Sequence, residues 1–578
     1  EMSASLVGSE MCIRDRVRLS DIAVTSSYTN YAAGYNGGVA GYVDKGCVIA
    51  LCNNIDLSGI TYLNSQTGLY AAYRGYVAGA QQESLLYLEK DAVLVKNEKA
   101  GNLEDAVWRA DYYYKDWQYI LDDVGTYGGI YRNVEDENGN LVIQYDNAYG
   151  QEVTGIVDYA DGKYQLAHIA DALRLAIALG TFDASDSNYA LRFGQNCFQA
   201  DAAGKTLLAS DYQVSADLDF SLAGIYSLCR NDAVTYEFTG TMEGSEKADG
   251  TYPVISLCIA SKQNYGGLFP KIKDASFKNL NLSGYLYYTK NCGGIAYYAE
   301  GSVTLEGMGT DMRIRTSSYS EYYTNNVIYY YGGFIGQYNL QNNSFICRDC
   351  VAAPVIDNIR MQQIAGGMVG YINTGKTAVT GNNIIVTGTT IKSRMTADTK
   401  FLYNYNAYSQ ARISGMFACI GYDVTGNQSG AAALGGSVAN ATYAKLELSG
   451  ITVDGAIIDL SSVTTNKGNV RASGGFLGYD WNNVEVSAGS ITVKNQSVIN
   501  SLGHVGGLIT TLAGRLDLKE VSLESMEMHD KTGSQTFSGL LVGDARYAVI
   551  TLTEKDYRID SSAVSYTHLR AHETSAHL

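Results

Sequence analysis

The 578 residues carry a formal net charge of −17, with 59 acidic and 42 basic side chains. An acidic chain without a basic patch disfavours nucleic acid and anionic membrane surfaces as partners. No apolar run reaches the roughly 18 residues that a transmembrane segment needs. The 62 glycines and 47 tyrosines, with only three prolines, favour many paired strands, because proline removes a hydrogen-bond donor from a sheet.

The two ends of the chain differ from the rest. LVGSEMCIRDR (6–16) and VSYTHLRAHET (564–574) read as translations of a sequencing adapter and of its reverse complement. We therefore interpret residues 1–16 and 564–578 as non-native and leave them out of the fold prediction. On this interpretation the rest is a fragment of a longer metagenomic reading frame, whose signal peptide and anchor cannot be inferred.

The first part of the chain contains two regions of different character. Residues 17–103 hold a glycine-led motif, GGVAGY (37–42), and a strand-like run, CNNIDLSGITYL (52–63). Residues 104–160 form a connector, which begins with a Tyr- and Trp-rich segment that fits a helix or strands. Within it YRNVEDENGNLVIQY (131–145) predicts a β-hairpin with Asn138 and Gly139 at its turn.

A helix is predicted next, over YQLAHIADALRLAIALG (164–180), because its apolar residues recur at helical spacing and Gly180 can act as the C-cap. After it the chain repeats Gly/Ser-Gly, two apolar residues and often Gly-Tyr. Alternating runs such as KLELSGITVDGAII (445–458) separate the copies and are typical of strands. The copies are GGLFPK (266–271), GGIAYY (293–298), GGFIGQ (332–337), GGMVGY (366–371), SGMFAC (414–419), GGFLGY (474–479), GGLITT (506–511) and SGLLVG (538–543).

This repeat predicts an all-β solenoid. A coil of about three short strands cannot bury its inward side chains alone, whereas coils stacked about 4.8 Å apart share one core and pair their backbones. The glycines are expected to permit a sharp bend. One of Phe476 and Leu477 is expected in the core and the other under a covering loop or second layer. An all-β sandwich is the alternative, but it would not repeat the motif so regularly.

The stretch GGLFPKIKDASFKNLNLSG…NCGGIAYYAEGSVTLEGM (266–308) resembles the GLUG-type repeats of bacterial surface proteins. The resemblance implies a right-handed parallel β-helix on a secreted or cell-wall-attached bacterial protein. Residues 209–221 and 236–257 are similar to the strands that follow a short capping helix in that family. SGMFAC, GGLITT and the inserts 371–413 and 422–472 depart from the pattern. The expected organisation is the last coils of a first β-helix over 17–103, the connector with its hairpin over 104–160, and a second, truncated β-helix over 161–563.

One column of the repeat indicates which functional groups one face of the predicted solenoid carries. Two places after the apolar pair stand Tyr42, Lys271, Tyr298, Gln337, Tyr371, Cys419, Tyr479, Thr511 and Gly543. None is a carboxylate, so this face is expected to lack the acidic pairs of glycoside hydrolases and the carboxylate clusters that bind calcium. The tyrosines form either packing at the rim or a row that contacts sugars or peptides. The candidate binding residues are Tyr42, Tyr298, Tyr371 and Tyr479.

No catalytic residue, metal ligand or cofactor is predicted. Cys347 and Cys350 form a lone CRDC, whereas a structural zinc site usually needs a second pair. Most cysteines are expected to be buried as small apolar residues, with one or two disulfides possible. The three histidines outside the two ends are too far apart in the sequence to suggest a catalytic triad.

The sequence therefore predicts a non-enzymatic repeat region of a large bacterial cell-surface or secreted protein. It would act as an adhesin or a rigid stalk, located outside the cell or on its surface. Its partners would be host or environmental glycans or surface proteins. The alternative is a polysaccharide lyase or glycoside hydrolase on the same scaffold, which needs two or more carboxylates, or a basic residue beside them, within about 10 Å.

Overall fold

The computed structural model describes residues 157–179, 205–220, 227–229, 236–260, 265–287, 291–316, 329–359, 363–375, 381–397, 410–421, 444–460, 471–501, 505–530 and 538–553, and outside these the backbone of further strands. The chain divides into two compact units. The first comprises Glu1–Gly155, Ala184–Arg192 and Leu222–Gly224; the second comprises Ile156–Asp183, Phe193–Ser221 and Ile225–Leu578. The described regular structure is nearly all β.

The described strands of the first unit form five parallel pairs and one antiparallel sheet. The antiparallel sheet joins Gly129–Glu135, Leu141–Asn147 and Glu152–Val153, and its first two strands confirm the predicted hairpin. Residues 104–124 lie outside the described part of the chain. The parallel pairs are Ile22–Ser26 with Ile60–Asn64, Tyr35–Gly37 with Tyr73–Gly75, Ala40–Val43 with Ala78–Gln81, Val48–Leu51 with Leu85–Leu88, and Ile55–Leu57 with Leu94–Lys96.

The second unit begins with the antiparallel pair Tyr159–Ala160 and Lys163–Leu166, followed by helix α1, Ile169–Ala178. A 3-10 helix, Leu207–Ala209, follows later. The α-helix is shorter than predicted, because Leu166 belongs to the strand. The Asp171 carboxylate accepts hydrogen bonds from the backbone N–H groups of Ala167 (3.1 Å) and His168 (2.9 Å), which defines the helix start.

From Lys163 onward the strands form five parallel columns, A to E, in which most strands pair with the equivalent strand one coil later. Columns A and B flank the glycine motif. Column A contains Tyr265–Gly266, Asn291–Gly293, Tyr329–Gly332, Gln363–Gly366, Gln410–Ser414 and Arg471–Gly475, and a separate pair, Val505–Gly506 and Ser538–Gly539. Column B contains Glu237–Phe238, Phe269–Lys273, Ala296–Glu300, Ile335–Asn339, Val369–Asn373, Phe417–Gly421, and the first parts of Gly478–Lys494, Ile509–Leu523 and Val542–Leu552.

Columns C, D and E hold the alternating runs. Column C contains Lys163–Leu166, Tyr212–Val214, Thr241–Gly244, Ser276–Lys278, Val303–Glu306, Ser344–Arg348, Asn383–Thr387, Ala444–Ser449 and later parts of the three long strands. Column D contains Leu218–Asp219, Val254–Ala260, Asn281–Tyr287, Gly309–Thr310, Val351–Ala352, Thr390–Ile391, Ile451–Asp454, the last parts of the first two long strands, and Arg558–Ile559. Column E contains Arg313–Arg315, Val355–Ile359, Arg394–Ala397, Ile457–Asp459, Ser497–Ser501, Met526–Asp530 and Val564–Tyr566.

The chain turns sharply between columns C and D. The turn residue has a left-handed backbone conformation in five successive coils, which glycine, asparagine and aspartate adopt most easily. These residues are Asn279 (φ 52°), Gly307 (φ 61°), Asp349 (φ 52°), Gly388 (φ 59°) and Gly450 (φ 65°).

The core lies inside these columns, because alternate residues of each strand point inward. In column C one inward row is buried along its length, and every step of the row is a register pair. Each such side chain contributes roughly 1.5–3 kcal/mol when fully buried. The row consists of Tyr164, Tyr212, Met242, Phe277, Leu305, Cys347, Val386 and Leu448.

The glycine pair is explained by two close approaches of backbone. A Cβ on the first glycine, as at Gly366, would overlap the carbonyl oxygen of Val369 in the same bend. A Cβ on the second, as at Gly367, would overlap the carbonyl oxygen of Gly415 in the next coil. The first contact recurs at Gly332, Gly506 and Gly539, and the second at Gly333 and Gly507. The glycines therefore permit both the bend and the stacking of bends.

The all-β, solenoid-like prediction is confirmed by these parallel columns. Both Phe476 and Leu477 are buried, at 0% and 1% exposure, so neither lies at the surface. The two motif copies predicted to depart, SGMFAC and GGLITT, keep the same path, since Phe417 pairs with Val369 and Ile509 with Gly478. Much of the inserts 371–413 and 422–472 lies outside the described residues. The predicted domain boundaries and the nature of the two ends stay predictions.

Candidate binding surface

Most of the residues that the sequence predicts to share one column do form a continuous row of neighbours, which lies on column B. Register pairs connect Lys271, Tyr298, Gln337, Tyr371 and Cys419 without a break. The next members, however, are Asp480, Thr511 and Asp544, in place of Tyr479, Thr511 and Gly543. The row also begins one strand earlier, with Glu237. The expectation that this column lacks carboxylates is therefore wrong.

The predicted and observed rows differ because Gly475 and Gly539, the second residues of GGFLGY and SGLLVG, occupy the position that the first residue of the pair holds in the preceding copy, as their pairing with Ser414 and Gly506 shows. Counting from Gly475 rather than from Gly474 places Asp480 in the row, because each member of the row lies five residues after the first position of its bend.

Trp481 follows Asp480 in the same strand. Its fully buried side chain pairs with Ile420 in the core, and its indole N–H donates a hydrogen bond of 3.1 Å to the carbonyl of Phe417. A Cβ on Gly478 would overlap the indole, so the glycine makes room for the ring.

The row is polar and half-buried at its N-terminal end. The ammonium of Lys271 lies 2.7 Å from a carboxylate oxygen of Glu237 and 3.1 Å from one of Glu300. Partial burial acts to lower the pKa of Lys271, but the two carboxylates outweigh it, and the pKa is raised overall. Lys271 therefore stays protonated at neutral pH. Its ammonium lies between the Glu237 carboxylate of the preceding coil and the Glu300 carboxylate of the following coil.

Tyr298 lies beside this ion pair. The Lys271 Nζ is 5.6 Å from the centre of the Tyr298 ring, within the range of a cation–π contact. Burial and the neighbouring Glu300 raise the pKa of Tyr298 to about 12. The ring of Tyr297 is 6.0 Å away, and both rings are half-buried. We call Lys271, Tyr297, Tyr298 and Glu300 the Tyr298 patch.

The other predicted binding tyrosines occupy different environments. Tyr371 and Tyr479 are each only 4% exposed, in a cluster with Tyr330. The ring of Tyr371 stacks on Tyr330 at 5.4 Å, and its hydroxyl donates to the carbonyl of Gly421 at 3.1 Å. The side chain of Tyr42 lies outside the described residues, although its backbone pairs with Ala80. The structure brings Tyr371 and Tyr479 together in one buried cluster, and the binding role of the four tyrosines stays a prediction.

A polar group lies within this tyrosine cluster. The guanidinium of Arg412, on column A, interacts with the Cys419 thiol and the Asp480 carboxylate on column B. Burial, with a smaller contribution from Asp480, raises the pKa of Cys419 to about 12, although Arg412 acts to lower it. The cluster is therefore a small second core between columns A and B, and sequence reasoning had missed it.

The described cysteines are all buried and reduced, namely Cys229, Cys292, Cys347, Cys350 and Cys419. Within the described residues, no three His, Cys, Asp or Glu side chains are grouped to hold a metal ion. Helices of the length and apolarity needed to cross a membrane are likewise absent from this part of the chain.

Comparison with known proteins does not show which family the chain belongs to. No family model matches the chain. No curated protein matches it either.

Proposed function

We propose that this chain is a non-enzymatic repeat region of a large bacterial cell-surface or secreted protein, built as a right-handed parallel β-helix. Its in-register columns support a helix of this kind, because parallel strands joined by crossovers are nearly always connected in the right-handed sense. The resemblance of residues 266–308 to GLUG-type repeats supports the cellular location. The region would act as an adhesin or a rigid stalk.

The Tyr298 patch is the observation that carries the binding proposal. Two half-exposed aromatic rings offer apolar faces with polar hydroxyl groups, which is the chemistry that surfaces use to hold polar ligands. Lys271 and Glu300 supply a cation and a hydrogen-bond acceptor at fixed positions beside them. A sugar ring or a polar peptide could lie on these rings and hydrogen-bond to both groups. Repetition of weak contacts along the stack would raise the overall affinity.

A glycan and protein binding screen of the full chain tests this proposal. We expect retention on at least one glycan or surface protein, and a loss of tenfold or more in affinity for Tyr298→Ala. The matched control is Tyr252→Ala, since Tyr252 is also half-exposed and precedes a strand of column D. Equal affinities of both variants for the retained ligand would overturn the assignment of the patch.

The enzymatic alternative is favoured by one observation, the grouping of Glu237 and Glu300 around Lys271. A general base, however, works best with a pKa near the working pH. The pKa of Lys271 is raised and that of Tyr298 is about 12, so both side chains keep their protons at neutral pH. Lys271 and Tyr298 are therefore poorly suited to abstract a proton. Release of unsaturated sugars or reducing ends from a polysaccharide panel, abolished by Lys271→Met, would reverse this conclusion.

A further inference from the structure

Two cysteines of one coil lie on either side of the sharp turn between columns C and D. Cys347 occupies an inward position on the strand Ser344–Arg348, and Cys350 follows the turn residue Asp349, whose backbone is left-handed (φ 52°). Both cysteine side chains are 0% exposed. The turn therefore brings two thiols into the core from the two sides of one corner.

The two sulfur atoms lie beside each other at this corner. The Sγ of Cys350 is 3.2 Å from the carbonyl oxygen of Arg348 and 3.7 Å from that of Leu305. Arg348 follows Cys347 in the chain, and Leu305 is the register partner of Cys347 in the preceding coil. Cys350 thus points back towards Cys347, and the two thiols are hydrogen-bonded to each other. The Cys347 Sγ also lies 3.8 Å from the Thr389 hydroxyl of the next coil.

The same two positions hold other side chains in neighbouring coils, where they are equally buried. Packing at this corner therefore does not require thiols, since apolar side chains and one threonine fill it elsewhere. The chemistry that two adjacent thiols add is reversible oxidation to a disulfide. The neighbouring pairs are Phe277 and Leu280, Leu305 and Met308, Val386 and Thr389, and Leu448 and Ile451.

We propose that Cys347 and Cys350 form an intramolecular disulfide when the chain folds in the presence of an organic disulfide such as oxidised glutathione. One thiolate attacks a sulfur of the oxidant and releases the first glutathione thiol. The second thiolate then attacks the protein sulfur of this mixed disulfide and releases the other glutathione thiol. The protein loses two electrons and two protons, and the oxidant is reduced to two thiols.

The order of the two attacks follows from the contact between the thiols. The hydrogen bond from the Cys347 thiol lowers the pKa of Cys350, whereas burial raises the pKa of Cys347. Because the thiolate is the nucleophile, Cys350 is expected to attack the oxidant first and Cys347 to close the bond.

This oxidation has to precede completion of the stack. Val386 of the next coil pairs with Cys347, and the two sulfur atoms are closed off from solvent once that coil is in place. A chain folded under reducing conditions should therefore keep both thiols, as in the described structure. The bond joins two residues of one coil, so it fixes the turn at Asp349 without linking one coil to another.

The test uses the full chain, unfolded in urea with a reductant and refolded, after removal of the reductant, in a mixture of reduced and oxidised glutathione. Remaining thiols are then blocked with N-ethylmaleimide in urea, and tryptic peptides are mapped by mass spectrometry. Trypsin cuts after Arg348, between the two cysteines, so the bond holds peptides 316–348 and 349–360 together until dithiothreitol separates them. We expect this linked species in most of the refolded chain, with loss of maleimide labelling at both positions.

Cys229 and Cys419 are internal controls, since both are also buried at 0% exposure but lie on other coils, and both should be labelled. Cys350→Ala should leave Cys347 unlinked and labelled. Full labelling of the pair, linkage of either cysteine to a third one, or glutathione retained on Cys350 in place of the bond would overturn the proposal. Linkage found only in chains whose far-ultraviolet circular dichroism differs from that of the reduced chain would overturn it as well. The readout is the state of the thiols, so a negative result leaves the binding proposal unaffected.

Discussion

The glycine pair can be tested by adding a single methyl group at Gly366. An alanine Cβ there would overlap the carbonyl oxygen of Val369 and would approach the carbonyl oxygen of Met416 to 2.9 Å. Both atoms are backbone, and they belong to two successive coils. Relief of the overlap must therefore move a bend or separate the coils. Overpacking with movable side chains costs about 1–3 kcal/mol, so we expect Gly366→Ala to destabilise by about 3 kcal/mol or more.

The control is Gly381→Ala. Gly381 lies in a turn of the same coil, and the atoms nearest to an added Cβ are 3.4–3.5 Å away, which is ordinary contact. Its backbone is outside the left-handed region, so alanine should be neutral or should stabilise by about 0.5 kcal/mol through the unfolded state. Ser414, at the position equivalent to Gly366, gives an internal comparison. Its hydroxyl accepts a hydrogen bond from Met416 N–H and donates one to the carbonyl of Leu477.

Urea unfolding followed by circular dichroism and tryptophan fluorescence provides the assay. Trp481 is fully buried in column B and reports on the stack near the perturbed bend. We expect a clearly lower midpoint for Gly366→Ala and an unchanged slope with urea concentration. Equal midpoints for the two alanine variants would refute the explanation of the glycine pair.

Three further predictions concern buried polar groups. Arg315→Ala should destabilise by roughly 3–5 kcal/mol in urea unfolding, because it leaves the Asp357 carboxylate without the guanidinium that lies 2.7 Å from it at 3% exposure. Burial, and then Arg174, lower the pKa of His168 to about 4, below its ordinary 6.5. As the pH falls, the His168 imidazole is therefore protonated in the unfolded chain before it is protonated in the folded chain. About 1–2 kcal/mol of folding free energy should be lost between pH 6.5 and 4, and His168→Gln should remove this loss. The pKa of Asp171 is raised, mainly by burial, and it opposes this trend in part. Alkylation mapped by mass spectrometry should leave five buried cysteines unmodified in the native chain and modify them in urea, namely Cys229, Cys292, Cys347, Cys350 and Cys419.

Each of these predictions has a contrary outcome. The partly exposed pair of Lys205 and Asp211, 3.2 Å apart, is the control for Arg315, and Lys205→Ala should cost less than about 1 kcal/mol. Similar costs at both sites would show that burial of the ion pair is unimportant. An acid slope that persists in His168→Gln would assign it to other groups. Alkylation of any of the five thiols without urea would contradict the described core.

The register of the repeat could be predicted because small residues recur at a bend where an added Cβ would meet backbone atoms of the same coil or of the next coil. That constraint fixes the spacing between the bend and column B, and it held from Lys271 to Cys419. It also holds at Asp480 and Asp544, which lie five residues after Gly475 and Gly539, and the prediction was wrong there because the sequence places Gly474 and Ser538 first in the motif. The spacing within the bend is therefore constant, and the motif leaves open only which residue of the pair stands first.

Burial of the tyrosines could not be predicted from column B alone. Tyr371 is covered by Tyr330, which belongs to column A of the preceding coil. The residues of one column do not indicate which side chains of a neighbouring column will cover them. The five columns were missed for a similar reason, since strands such as Thr390–Ile391 are too short to show alternation.

The central claim is that the coils are stacked in parallel at a constant spacing, and one distance series tests it directly. Ser276, Glu447, Ser487 and Asp517 belong to one outward row of column C. At about 4.8 Å per coil, spin labels on Ser276 and each of the others should be about 19, 24 and 29 Å apart by double electron–electron resonance. A linear increase with coil number is the predicted result. Distances unrelated to coil number would contradict the stack.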